Sequence, residues 1–215
     1  MDVTQPGIMF FTLSRKETRI LGRRLANLLR KEFPPDEPLT IALSGPLGAG
    51  KTTFVKGFGK ALGIAPKDIV SPTFGLATVY EEAEIPFVHL DLYRLGAEGQ
   101  GREAAAREFR EAGLEDALRG WALVEWPEKL PDSFWRERVL KIEFNDIQDF
   151  ARKFKALEGF SQSLGALGKK LEILVASHSI RYLFLSGFRV KKIAKLIEKS
   201  EHKLDSFAHV VTPVD

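Results

Sequence analysis

The sequence predicts a layered α/β fold. Short apolar runs alternate with segments of helical period along the first two thirds of the chain. One of those runs, Leu39 to Ser44, is nearly all apolar, as suits a parallel strand covered on both faces. A glycine-rich turn and a helical segment follow it directly, giving strand, loop and helix in succession.

The elements follow in order. Met9 to Leu13 is apolar and partly aromatic, a first strand. Ser14-Arg15-Lys16-Glu17 has the pattern of a helix-capping box. Behind it Leu21, Leu25, Leu28 and Leu29 fall on one helical face, and Pro34-Pro35 must end the helix. Leu39 to Ser44 is the second strand, and Thr52 to Leu62 the next helix. Ser-Pro-Thr at 71–73 marks a turn. Ala77 to Tyr80 and Phe87 to Leu92 read as strands joined by a polar connection. Residues 102–119, rich in Ala, Glu and Arg, predict one helix ending near Gly120. Trp121 to Trp126 is another strand. Arg138 to Phe144 and Ala151 to Leu157 predict a hairpin. After Phe160 the character changes. Ser161 to Gly165 reads as a linker, Leu171 to Ala176 as a strand, and Arg189 to Lys199 as a basic amphipathic helix. The division expected is a domain over 1–160 and a C-terminal extension over 161–215.

Composition narrows the class. In 215 residues, 44% apolar and 28% charged side chains suit a globular chain with a core. No apolar run reaches the roughly 18 to 20 residues of a membrane span, and the first residues show no secretory pattern. The absence of cysteine excludes disulfides and thiolate chemistry and fits a cytoplasmic setting. The net charge is +3, and its placement is uneven. Residues 161–215 hold 9 Lys/Arg against 5 Asp/Glu, whereas residues 1–160 hold 23 against 24. Total charge therefore does not make the body a nucleic-acid binder.

The most specific signal is Gly45-Pro46-Leu47-Gly48-Ala49-Gly50-Lys51-Thr52, followed by Thr53. It matches G-x-x-x-x-G-K-[ST] at every fixed position. Glycines let the backbone wrap a phosphate, and the following helix adds its positive end. Lysine at that position reaches the β- and γ-phosphates, and the threonine hydroxyl is placed to ligate Mg²⁺. The pattern calls for ATP or a related nucleotide and for Mg²⁺. Asp91 and Glu125 each close an apolar strand, where ligands bind in open α/β sheets. Either could instead be a solvated loop carboxylate.

Four blocks occur together in order: Gly-Pro-Leu-Gly-Ala-Gly-Lys-Thr-Thr (45–53), Ser-Pro-Thr-Phe (71–74), His-Leu-Asp-Leu-Tyr-Arg-Leu (89–95) and Val-Glu-Trp-Pro-Glu (124–128). In this combination the chain resembles the TsaE (YjeE) family of bacterial ATPases, over roughly residues 10–157. The resemblance implies a P-loop NTPase-like three-layer fold with a mixed central sheet. It implies an ATPase, slow alone, that acts with TsaB and TsaD in making N6-threonylcarbamoyladenosine at position 37 of tRNAs reading ANN codons.

Carried over by position, Lys51 and Thr52 take the phosphate and Mg²⁺ roles, and Asp91 is the Walker-B-like acid. Glu125 contacts Mg²⁺ or orients the attacking water, and the residues alone do not separate the two. Lys51, Asp91 and Glu125 form the expected catalytic set, with Thr52, Asp91 and Glu125 as metal ligands. Trp126 packs near the nucleotide or in the core. Thr73 lies where a switch-like loop senses the γ-phosphate, or is a turn residue beside Pro72. Arg15 and Arg152 are weaker candidates for nucleotide contact, with plain surface arginines as the alternative.

Three features depart from the family pattern. Residues 96–112 carry arginines where an acidic stretch is usual, Leu90 stands where Phe is common, and the chain continues beyond residue 157. In that extension the reading preferred for Arg189 to Lys199 is a helix packed through Val190, Ile193, Ala194 and Ile197, its lysines in solvent. The alternatives are an arm for tRNA or an acidic partner face, and a basic amphipathic helix on a membrane surface. Two other functions stay open on residues alone. One is a free-standing small-molecule kinase with Arg102, Arg107 and Arg110 in a lid, and the other is a nucleotide-gated binding module. His89 is expected as a core or loop-facing residue, and the spacings of His178, His202 and His209 match no metal site.

Overall fold

The computed structural model describes residues 7–12, 14–96, 100–135, 138–146, 181–187 and 208–209. Eleven elements of regular structure carry the argument: β1 (Gly7–Thr12), α1 (Arg15–Glu32), β2 (Leu39–Ser44), α2 (Lys51–Ala61), β3 (Ala77–Tyr80), β4 (Phe87–Asp91), α3 (Gly101–Glu111), β5 (Trp121–Glu125), β6 (Val139–Asp146), β7 (Arg181–Gly187) and β8 (Ala208–His209). The strands form one sheet in the order β3-β4-β5-β2-β6-β7-β1-β8. The neighbours β4, β5, β2 and β6 run parallel. The remaining pairs are antiparallel, so the sheet is mixed.

Helix α1 starts where its cap predicts: the Glu17 backbone N–H donates to Ser14 Oγ at 3.3 Å. It stops at Glu32, ahead of Pro34. The segment 102–119 differs from expectation. α3 ends at Glu111, Gly113 takes a left-handed conformation (φ 69°), and a separate 3₁₀ stretch covers Leu114–Arg119. Glycine has no Cβ to penalise that conformation, so it terminates a run whose other residues favour helix. The second strand of the expected hairpin (151–157), the strand 171–176 and the helix 189–199 lie outside the described residues. The antiparallel partner of β6 is β7, from the C-terminal part of the chain.

Alternation along the central strands divides the core between the two faces. In β5, Trp121 and Leu123 join Leu29, Ile41, Phe54 and Phe58 under α1 and α2. Ala122 and Val124 join Leu90, Ala106 and Phe109 on the other face, beneath α3. Helices thus cover both faces of a sheet, as in a three-layer α/β fold.

α1 and α2 meet through glycine. A Cβ on Gly57 would lie 2.0 Å from the Arg19 carbonyl oxygen, and one on Gly22 would lie 2.3 Å from that of Phe54. Backbone cannot yield as a side chain does, so Gly57→Ala must push the helices apart. The expected cost is about 1–3 kcal/mol of unfolding free energy, an overpacking penalty, and urea denaturation measures it. The displacement moves α2, whose first residue is Lys51.

Candidate functional site

Parallel β4, β5 and β2 bring their carboxyl ends to one edge of the sheet, and the register sets Asp91 beside Glu125 and Glu125 beside Leu43. The loop 45–50 leaves β2 at this edge and enters α2. Gly45 (φ 134°) passes so close to β6 that a Cβ would lie 2.4 Å from the Phe144 carbonyl oxygen. Gly50 caps α2 in a left-handed conformation (φ 104°), with no side-chain hydrogen bond and no acidic residue in the first turn. The helix's own cap and first turn therefore do not neutralise its electropositive N-terminus, which favours an anion.

A cleft of about 270 Å³ opens over this loop. Leu47, Gly48, Ala49, Gly50, Lys51, Thr52 and Thr53 line one side. Arg15, Ser71, Thr73, Asp91, Tyr93, Glu125 and Trp126 line the rest. Gly45 and Pro46 contribute differently, through carbonyl oxygens that accept from Lys51 Nζ at 2.7 and 3.0 Å. Lys51 is buried, and its ammonium lies 3.9 Å from the centre of the Trp126 ring. Trp126 reaches that position from a left-handed backbone (φ 61°), unusual for a bulky residue. Tyr93 packs against it at 5.0 Å between ring centres.

The two acids have separate environments. Glu125 Oε1 accepts from the Thr52 hydroxyl at 2.8 Å and pairs with His89 Nε2 at 2.9 Å. Asp91 Oδ2 accepts from Ser71 Oγ at 2.6 Å and from Thr73 Oγ1 at 2.5 Å. Its Oδ1 accepts from the Tyr93 backbone N–H at 3.1 Å. So the threonine of the loop meets Glu125, while Asp91 holds the Ser-Pro-Thr turn. Among the described residues no group of three or more His, Asp or Glu side chains converges as a metal cage. A hydroxyl and two carboxylates at the mouth of a phosphate loop instead suit Mg²⁺, which takes few protein oxygens and draws the others from phosphate and water.

Burial lowers the pKa of Lys51 from the usual lysine range, against the opposing pull of Glu125, Glu128 and Asp91. Only the ammonium attracts phosphate. The prediction is that nucleotide affinity falls as pH rises, beginning below the ordinary lysine range. Titrating the dissociation constant for ATP between neutral and strongly alkaline pH tests the sign; affinity constant up to ordinary lysine titration would contradict it.

Arg152 lies outside the described residues. Arg102 and Arg110 do not line the cleft. Arg110 pairs with Glu115 at 3.1 Å and Arg102 approaches Asp132 at 3.9 Å, neither of them nucleotide-facing residues. Three residues at or next to the cleft were not anticipated. Ser71 sits two positions from Thr73, Tyr93 two positions from Asp91, and His89 inside β4. Their type gave little sign: a serine before proline reads as a turn, and a histidine in an apolar strand as core. No helix among the described residues is long and apolar enough to cross a membrane.

Comparison with known proteins places the chain. The family model described as "Threonylcarbamoyl adenosine biosynthesis protein TsaE" matches residues 12–154. A "tRNA threonylcarbamoyladenosine biosynthesis protein TsaE" from Nostoc sp. is 48% identical over 91 residues, 42% of this chain and 54% of that protein. The protein of the same description from Bacillus subtilis is 33% identical over 130 residues, 60% of this chain and 72% of that one. The matched region thus spans about half the Nostoc protein and nearly three quarters of the Bacillus one. The crystal structure of Bacillus subtilis YdiB superposes with a TM-score of 0.51 at 21% identity, covering 91% of this chain and 96% of that one. That likeness bears on the fold, which is the P-loop NTPase-like arrangement.

Proposed function

The chain belongs to the TsaE family, and from that membership we propose that it is an accessory ATPase of tRNA threonylcarbamoylation. In this reading it binds ATP with Mg²⁺ and hydrolyses it in support of TsaB and TsaD homologues as they form N6-threonylcarbamoyladenosine at position 37 of tRNAs reading ANN codons. The observation that carries the proposal is the convergence of Lys51, Thr52, Asp91 and Glu125 on one cleft over the phosphate loop.

Each residue has a task that its position supports. Backbone N–H groups of the loop and the N-terminus of α2 hold phosphate oxygens. Lys51, now bonded to two loop carbonyls, turns to the β- and γ-phosphates when they arrive. Thr52 and Asp91 would supply oxygen donors to Mg²⁺, which would neutralise charge on the phosphates. Glu125, which accepts from Thr52 and lines the same cleft, would orient a water for attack on the γ-phosphorus rather than hold the metal. Thr73 reports the state of the site, because its hydroxyl is held by Asp91 and any change at Asp91 reaches the Ser-Pro-Thr-Phe turn, whose Ser71 and Phe74 are exposed. Trp126 and Arg15 line the same cleft and would flank the nucleotide.

The protein is proposed to act in the cytoplasm, with the ATPase unit over residues 1–160 and a basic extension over 161–215 that touches tRNA or a partner. β7 and β8, within that extension, pair with β6 and β1, so the extension is tested by replacing its basic side chains between Arg189 and Lys199 rather than by deleting the tail. Reconstituted threonylcarbamoyl transfer tests the proposal. With the full chain present, modified tRNA should exceed one equivalent per TsaB–TsaD complex. An equal yield without the chain would contradict the assigned role.

A further inference from the structure

His89 is fully buried in β4, between strands β3 and β5. Its Nε2 lies 2.9 Å from Glu125 Oε1. A carboxylate oxygen accepts, so Nε2 carries the proton and donates. The other ring nitrogen, Nδ1, is buried with no hydrogen-bond partner among the described residues. A polar ring atom left unpaired in a core costs free energy that an apolar side chain of similar size would avoid. Core packing alone therefore gives no reason for histidine at this position. Its one polar contact among the described residues is with the acid that the proposed function puts at the centre of hydrolysis.

The same oxygen of Glu125 also accepts from Thr52. Thr52 is the hydroxyl that a phosphate loop offers to a metal ion. If Thr52 turns away for that purpose, His89 is the contact that remains. Oε2 has no hydrogen bond from a described residue, and Glu125 lines the cleft.

We infer that His89 is a positioning residue. Donating from inside the sheet, it anchors Oε1 of Glu125 and leaves Oε2 to act on a water in the cleft. The inference rests on the proposed ATPase activity and deepens it. No charge change on His89 is involved: the ring needs only one N–H, aimed at Oε1.

The test compares His89→Gln, His89→Asn and His89→Leu in the full chain. A glutamine amide can stand near the place of Nε2, an asparagine amide near that of Nδ1. His89→Leu and His89→Asn should lower kcat for ATP hydrolysis on the order of 10- to 100-fold, the usual loss when a residue supporting a catalytic ligand is removed. KM and the calorimetric dissociation constant for Mg²⁺–ADP should change by less than about threefold, since a factor of that size is under 1 kcal/mol. His89→Gln should recover most of the loss. A purely structural histidine would not separate Gln from Asn in this way, nor kcat from KM.

A second readout needs no turnover. Unfolding free energies without nucleotide, measured for His89→Leu, Glu125→Ala and His89→Leu/Glu125→Ala, each single change removing the contact, should be non-additive. Unchanged kcat in His89→Leu, or equal kcat in the Gln and Asn variants, would overturn the inference, as would additive stability effects. If the unsubstituted protein hydrolyses no ATP even with its partners, the ATPase reading fails instead. The stability cycle then still decides whether the His89–Glu125 contact exists.

Discussion

Glu125→Gln is expected to bind ATP with near-normal affinity and to hydrolyse it about 10²- to 10⁴-fold more slowly, the range that a positioned general base contributes. Glutamine has the same shape, and its amide oxygen can still accept from Thr52 and His89, so the local fold persists. What it lacks is the negative charge that draws a proton from water. Glu125 closes β5 with 3% of its surface exposed, and the low local polarisability strengthens its effect on any group it faces. Calorimetric ATP binding beside single-turnover hydrolysis separates the two effects. Equal loss of binding and turnover would make Glu125 a metal-holding residue rather than the one that orients water.

Lys51→Ala is expected to abolish measurable nucleotide binding. The lysine supplies the one ammonium among the groups lining the cleft, and hydrogen bonds to charged groups contribute about 1.5–3 kcal/mol each. Two such contacts to phosphate therefore correspond to a loss on the order of 10²- to 10⁴-fold in affinity, at 1.4 kcal/mol per tenfold. The free protein should keep its fold, because among the described residues Lys51 Nζ hydrogen-bonds only the loop carbonyls of Gly45 and Pro46, while Glu125 and Asp91 keep their hydrogen bonds from Thr52, His89, Ser71, Thr73 and Tyr93. Circular dichroism with calorimetry checks both halves. ATP binding at undiminished affinity by a folded Lys51→Ala protein would remove the phosphate loop from the mechanism.

Much of the fold was legible because the informative patterns are local. Leu39–Ser44 and Lys51–Ala61 lie where apolar run, glycine loop and helical period put them, within a residue. α3 was overextended because Ala, Glu and Arg continue past Gly113 and hide the break there. β7 was missed for a different reason. Arg181–Gly187 pairs with strands that begin 174 and 42 positions earlier (181 − 7 and 181 − 139), and nothing in its own seven residues names such distant partners.

The site divides in the same way. Lys51, Thr52, Asp91 and Glu125 stand in recognisable blocks. The contacts among them depend on strand order, which the blocks do not encode. β5 lies between β2 and β4, so Glu125 rather than Asp91 meets Thr52, and Asp91 takes the turn at Ser71 and Thr73. His89 could not be assigned from a strand that is otherwise apolar. Its role depends on facing β5, across the register that pairs His89 with Leu123.

The central claim is an ATPase that answers to partners, and steady-state ATP hydrolysis by the full chain, alone and with a TsaB–TsaD complex from the same source, tests it most directly. The expected result is slow turnover alone that rises many-fold when the complex is added, and that Glu125→Gln does not share. Turnover indifferent to the complex, or none under either condition, would contradict the proposed role.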